Sequence, residues 1–95
     1  MTSTGGGGDS AYEIRLDRRA EKRLNRQHGQ TLGQLDTDIR SLADNPRPFG
    51  VEKLKGNSLR IRSGDWRIIY NIYDGERLVI VTHIRRRNEK TYKGV

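Results

Sequence analysis

The sequence predicts an α+β domain. Its elements are an N-terminal strand, an antiparallel helical hairpin and a three-stranded antiparallel meander, forming one sheet with the helices packed on it. Three observations carry this reading. Residues 58–73, SLRIRSGDWRIIYNIY, are two runs rich in β-branched and aromatic residues, broken only at Gly64-Asp65. Leu32, Leu35, Ile39, Leu42 and Ala43 fall on one helical stripe. A chain of 95 residues with 32% hydrophobic side chains fits one small domain with a thin core.

Taken in order, residues 1–10, MTSTGGGGDS, read as a flexible tail, and residues 11–95 as the folded domain. No strand precedes Gly5 to Gly8 and no Gly-Lys-Ser/Thr follows, so the glycines suit a linker better than a phosphate loop. Tyr12 to Leu16 alternates apolar and charged, a short strand. Asp17 suits a helix N-cap, Ala20 and Leu24 recur at helical spacing, and Gly29 supplies a stop. Arg18, Arg19, Lys22, Arg23 and Arg26 then give this helix a solvated basic surface. Thr31-x-x-Gln34 has the form of a capping box for a second helix, which Asn45-Pro46 ends. Residues 46–57 read as a loop that contains Phe49.

The hairpin follows. A two-residue loop with glycine first sets Arg62 opposite Arg67 and Ile61 opposite Ile68. Side chains alternate across a strand, so Arg60, Arg62 and Arg67 share one face. Like charges placed opposite each other destabilise a sheet, so an external anion is a natural reason for them. A solvated edge face, where long basic chains spread apart, is the plainer alternative. Tyr73-Asp74-Gly75-Glu76 predicts a second tight turn, with positive φ at Asp-Gly, and Leu78 to Ile84 is the last strand. Ile68, Ile69 and Ile72 point to both faces, so the middle strand is expected to be partly covered on each side.

Charge narrows the function classes. The net charge is +7. Residues 1–50 carry 8 basic and 7 acidic side chains, a net of +1; residues 51–95 carry 11 and 5, a net of +6. The second half therefore favours a polyanion or an acidic protein. There is no cysteine, which excludes thiolate chemistry and disulfides and is compatible with a reducing cytoplasm. His28 and His83 are the only histidines and are far apart, so no metal site is expected. His28 suits a helix terminus. Alternation from Trp66 puts His83 on the face opposite Arg67, where a satisfied core role suits it. No apolar run approaches the roughly 20 residues of a membrane span, and no signal peptide is visible. Arg85-Arg86-Arg87 after the last strand, with Tyr92 nearby, is either a solvated end or a grip for phosphate and base.

Lys53-Leu54-Lys55-Gly56, Leu59-Arg60-Ile61-Arg62, Gly64-Asp65-Trp66-Arg67-Ile68-Ile69-Tyr70 and the closing Arg86…Tyr92 together resemble the RelE/ParE toxin superfamily. They look most like RelE-type ribosome-dependent mRNA endonucleases of type II toxin–antitoxin pairs. The resemblance covers about residues 11–95. It implies substrate contacts by Arg60 and Arg62, by Arg67 and by the C-terminal Arg86 and Tyr92, with Arg85 or Arg87 as replacements if the spacing shifts. Lys53, Lys55, Arg85, Arg87 and Lys90 are the expected further RNA contacts. The best-known members carry lysine where this chain has Arg60 and Arg62. Arginine does not give up its proton, so a lysine base does not transfer and these positions act through charge.

The reaction implied is attack of an RNA 2′-hydroxyl on the adjacent phosphate, giving a 2′,3′-cyclic phosphate and a 5′-hydroxyl without cofactor or metal. Guanidiniums are well suited to the charge that gathers on the phosphoryl oxygens. Tyr92 leads as base, acid or stacking platform, and His83 comes second. The expected partners are the ribosome and its mRNA, and an acidic antitoxin that orders on binding, all in the cytoplasm. A ParE-like inhibitor of DNA gyrase and an RNA-binding module without chemistry are the competing readings.

Overall fold

The computed structural model describes residues 11–87. Strand β1 (Glu13–Leu16) leads into α1 (Arg18–Asn25) and α2 (Gly29–Ser41). Strands β2 (Glu52–Lys53), β3 (Ser58–Ser63), β4 (Trp66–Tyr73) and β5 (Leu78–Arg86) follow. They make one five-stranded sheet in the order β1-β5-β4-β3-β2. β1 runs parallel to β5 and the other pairings are antiparallel. The predicted α+β class, helical hairpin and meander are all present. Among the described residues no helix is long and apolar enough to cross a membrane.

Local chemistry explains the element boundaries. The Asp17 carboxylate accepts from the Ala20 N–H at 3.1 Å and caps α1, as its position predicts. The predicted capping box is corrected. α2 begins at Gly29, with His28 as N-cap and no side-chain cap bond, so Thr31 and Gln34 lie inside the helix. Gly29, read as the stop of the first helix, instead opens the second at φ +57°; α1 already ends at Asn25. The Asp-Gly turn is also corrected. Asp74–Glu76 is a short 3₁₀ turn and the positive φ, 50°, falls on Arg77. That makes four residues between Tyr73 and Leu78, which pair with each other. β2 was not predicted; its two residues, Glu52 and Lys53, pair with Arg60 and Leu59 of β3.

The helices bury one face of the sheet. Ala20, Leu35, Ile39 and Leu42 pack against Leu59, Ile61, Ile68, Tyr70, Val79, Val81 and Ile84. Tyr70 is fully buried, and its hydroxyl donates to the Pro46 carbonyl at 2.6 Å, tying the loop after α2 to the middle strand. Burial pushes that phenol up to about 12. Ile68 lies on the buried face. Ile69 alternates to the other, which no described helix covers, so the expectation of cover on both sides is met on one side only. At the far end, Asp74 accepts from the Tyr12 hydroxyl at 2.7 Å and from Arg47 Nη2 at 2.9 Å, joining β1, the post-α2 loop and the β4–β5 turn.

Two outcomes follow. Leu35→Ala or Ile39→Ala lowers the unfolding free energy by about 2–5 kcal/mol in urea titration. The second concerns Asp74, whose carboxyl is held below its usual range by hydrogen bonds from Arg47 and then Tyr12. A depressed folded pKa stabilises above the unfolded value, and the gain is lost as pH falls through the folded one. Asp74→Asn therefore melts at a lower temperature than the wild type at pH 7, and the gap closes in acid. The effect is small because the pair is exposed.

Candidate nucleic-acid interface

The β3–β4 turn sets the site. Ser63 pairs with Trp66, so Gly64-Asp65 is a two-residue loop, and Gly64 sits at φ +61° as a glycine-first turn requires. Arg62 is then opposite Arg67, as the sequence predicts, and Arg67 is opposite Arg85 on the next strand. Opposed residues share a face, so three guanidiniums stand in one cross-strand row over about 10 Å of sheet. Two residues along, a second row on the same face reads Glu52, Arg60, Ile69, His83 across β2, β3, β4 and β5. Arg62 is exposed, whereas Arg60, Arg67 and Arg85 are half-buried among their neighbours.

Glu52 is the carboxylate of this second row. Arg60 Nε donates to Glu52 Oε1 at 2.8 Å, and Arg60 Nη2 bonds the same oxygen. The Arg60 hydrogen bonds hold the Glu52 carboxyl below its usual range, followed by the charges of Arg60, Arg62 and Arg67. That Arg62 and Arg67 both reach Glu52 electrostatically shows how close the rows lie. Beside them is a groove of about 520 Å³ where Phe49, fully exposed, meets Glu52, Arg60 and Arg62. Sequence reading gave neither Glu52 nor Phe49 a role. A two-residue strand has no periodicity to detect, and a lone loop aromatic carries no pattern.

His83 is corrected. It lies on the same face as Arg67, because it pairs with Ile69 while Ile84 pairs with the buried Ile68. The cause is a bulge. Ile69 faces His83 but Tyr70 faces Val81, so β5 holds one extra residue, Thr82. Parity from Val79 and Val81 would carry His83 into the core; the bulge sends Ile84 there instead. Partial burial, then the charges of Arg85 and Arg19, push the imidazole below its usual pKa.

The C-terminal arginines separate. Arg86 pairs with Trp66 on the helix side, its guanidinium 5.6 Å from the ring centroid, while Arg23 of α1 lies 5.3 Å from the same ring. Arg85, not Arg86, joins Arg62 and Arg67. Arg87 is exposed, and its backbone N–H donates to the Asp65 carbonyl at 2.7 Å. Lys53 and Lys55 are exposed at the β2 edge, where Lys53 alternates away from Glu52. Lys90 and Tyr92 lie outside the described residues.

A sheet with a helical pair on one face carries a row of guanidiniums on the other. Solved structures share this fold. The RelE–RelB complex of Pyrococcus horikoshii aligns at TM-score 0.74 and 22% identity, over 83% of this chain and 98% of that one. The RelBE2 toxin–antitoxin complex of Mycobacterium tuberculosis aligns at 0.73 and 19%, over 83% and 94%. The intact RelBE complex of E. coli aligns at 0.70 and 25%, over 83% and 100%. No curated protein is close enough in sequence to match. The family described as "ParE toxin of type II toxin-antitoxin system, parDE" matches residues 14–91. The chain belongs to this family: it is a toxin of a type II toxin–antitoxin system with a RelE-like fold.

The arginine row should be visible in stability. Each directly opposed like-charge pair costs about 0.2–1 kcal/mol. Arg67→Ala removes the middle charge, so it melts at or slightly above the wild-type temperature at low salt. Added salt raises the wild-type melting temperature more than that of the variant. A variant clearly less stable at low salt would mean that Arg67 contributes packing rather than repulsion.

Proposed function

We propose that this toxin is a metal-independent endoribonuclease that cleaves mRNA on the ribosome and so stops translation. The observation that carries the reading is the register Arg62–Arg67–Arg85, with Arg60 one row away, on a sheet face that no described helix covers. Like charges placed opposite each other destabilise a sheet, whereas a phosphate passing towards a pentacoordinate transition state is stabilised by guanidiniums. In this reading Arg62, Arg67 and Arg85 hold the non-bridging oxygens by paired N–H donation. Arg60, steadied by Glu52, meets the next phosphate. Phe49 and the exposed Lys53 and Lys55 lie where the strand would enter. Arg85 takes the place that the resemblance gives to Arg86. Tyr92 remains assigned to the proton-transfer or stacking role, with Arg87 and Lys90 as outer contacts.

The cleavage is a transfer within the RNA. The 2′-oxygen bonds to phosphorus, the bond to the 5′-oxygen breaks, and a 2′,3′-cyclic phosphate and a 5′-hydroxyl result. The ribosome supplies orientation of the 2′-hydroxyl, which an open, charge-lined face does not provide alone. The partner is an acidic antitoxin. The +7 net charge favours one, and the structural neighbours include toxin–antitoxin complexes. The cytoplasm is the compartment this reading requires.

The family description names ParE, which favours a second reading, inhibition of DNA gyrase by protein binding. Inducing the protein in bacteria separates the two. Codon-phased mRNA ends support the nuclease, and a DNA-damage response with intact mRNA supports the inhibitor.

On programmed ribosomes, Arg67→Ala slows cleavage by about 10²–10³, the loss expected for one preorganised donor. Arg85→Ala is slowed comparably and Arg86→Ala less. Tyr92→Phe loses about 10²–10⁴ if its phenol moves a proton, and little if the ring only stacks. Naked RNA is cut poorly by all of them. Wild-type rates in both Arg67→Ala and Tyr92→Phe would sink the arginine-face mechanism and leave gyrase binding as the better reading.

A further inference from the structure

Guanidiniums hold charge but do not accept protons, so the attacking hydroxyl needs a base. Two proton acceptors flank the arginine face at opposite ends of one cross-strand row, Glu52 and His83. Glu52 is committed. One of its oxygens takes two N–H donors from Arg60, which lowers its basicity. His83 is differently disposed. Its Nδ1 lies 3.1 Å from Thr82 Oγ1, and the Thr82 hydroxyl donates in turn to the Ile69 carbonyl at 3.3 Å. Its Nε2 lies 3.4 Å from Arg19 Nη1. A guanidinium can only donate, so Nε2 is the acceptor and Nδ1 carries the proton. The bulge that brings His83 to this face thus also fixes its tautomer through the bulge residue Thr82.

We infer that His83 is the general base of this toxin, its Nε2 taking the proton of the attacking 2′-hydroxyl. This rests on the nuclease reading above. His83 sits two residues before Arg85 and diagonally from Arg67, a side-chain separation of roughly 7–8 Å within a sheet, close enough to share a phosphodiester. In the step, the 2′-O–H proton passes to Nε2 as the O2′–P bond forms. The P–O5′ bond breaks, the 5′-oxygen takes a proton from water, and the imidazolium returns its proton to solvent. Arg19 is a removable stopper. Its contact is long and its side chain is 71% exposed, so it can swing off Nε2 when substrate arrives. The charged groups around the imidazole are Arg85 on its own strand, Arg67 diagonally across on β4, and Arg19 and Asp17 from α1 and its cap. Partial burial first, and then the charges of Arg85 and Arg19, favour the neutral imidazole.

Two measurements on the whole chain test this. With only two histidines, ¹⁵N shifts resolve His83. The Nδ1–H tautomer is expected, with a pKa below the ordinary value of about 6.5. Removing the Arg19 charge in Arg19→Ala raises that pKa. On programmed ribosomes with toxin below saturation, so that the free protein's ionisation is read, wild-type single-turnover cleavage falls as pH drops through the same value. His83→Gln loses about 10²–10⁴ in rate and the acid limb with it. Arg19→Ala keeps the plateau rate but moves the limb to higher pH, which a merely structural histidine would not do. A melting curve confirms that His83→Gln is folded; should it not be, the Arg19→Ala limb decides alone. An Nε2–H tautomer, an acid limb unmoved in Arg19→Ala, or wild-type rates in folded His83→Gln overturns the assignment while leaving the nuclease reading intact. A wild-type protein that cuts no mRNA on ribosomes overturns both.

Discussion

The register between β3 and β4 is the constraint on which the rest depends. A one-residue slip of β3 would send Leu59 and Ile61 to the open face and Arg60 and Arg62 into the core. Two devices prevent it. Gly64 adopts the positive φ that a two-residue loop needs, and the helices bury the apolar side of the hairpin. The energies are unequal in the right direction. Burying one large apolar side chain contributes roughly 1.5–3 kcal/mol, while each opposed arginine pair costs about 0.2–1 kcal/mol. The core therefore holds the guanidiniums together against their own repulsion. Helices α1 and α2 hold the arginine face in place by making the slip too costly.

Where local rules govern, the sequence was legible. Alternation and a glycine turn revealed the hairpin and the face shared by Arg60, Arg62 and Arg67. The carboxylate of Asp17 marked a helix start because a cap is a contact three residues long. What stayed hidden was set by neighbours distant in the chain. β2 exists only because β3 offers it a bonding edge. The β4–β5 bulge has no glycine or proline to announce it, and it reversed His83 and divided the arginine run. The register after the bulge put Arg85 opposite Arg67 and turned Arg86 to the other face, where it lies over Trp66 in company with Arg23. The capping box misled for a related reason. Thr31 and Gln34 fit the pattern, but Gly29 at positive φ starts the helix earlier.

Replacing the family's lysines by arginine at positions 60 and 62 has a structural consequence. A lysine ammonium is a point charge that can shed its proton; a guanidinium is a fixed, planar donor. Arg60 is already held by Glu52, so its plane is fixed. In the proposed nuclease that preorganisation would lower the reorganisation needed at the transition state, where electrostatic catalysis gains most. The same change removes proton acceptors from positions 60 and 62, so that in the row Glu52, Arg60, Ile69, His83 they stand at the two ends.

The two ends are not equivalent, and the sheet itself makes them so. Glu52 stands on an edge strand two residues long, beside Arg60, with Arg62 and Arg67 also within electrostatic reach. There its charge is worth most as a fixed counter-ion, and each guanidinium nearby makes it a poorer base. His83 stands where β5 bulges, between arginines that favour its neutral form, with one ring nitrogen bound to Thr82 and the other turned to a long, exposed guanidinium. The same positive field lowers the proton affinity of both groups. On Glu52 it holds a charged counter-ion that keeps Arg60 oriented, and on His83 it adds to partial burial in favouring the uncharged imidazole. An imidazole is by nature more basic than a carboxylate, so of the two ends His83 is the better fitted to take a proton.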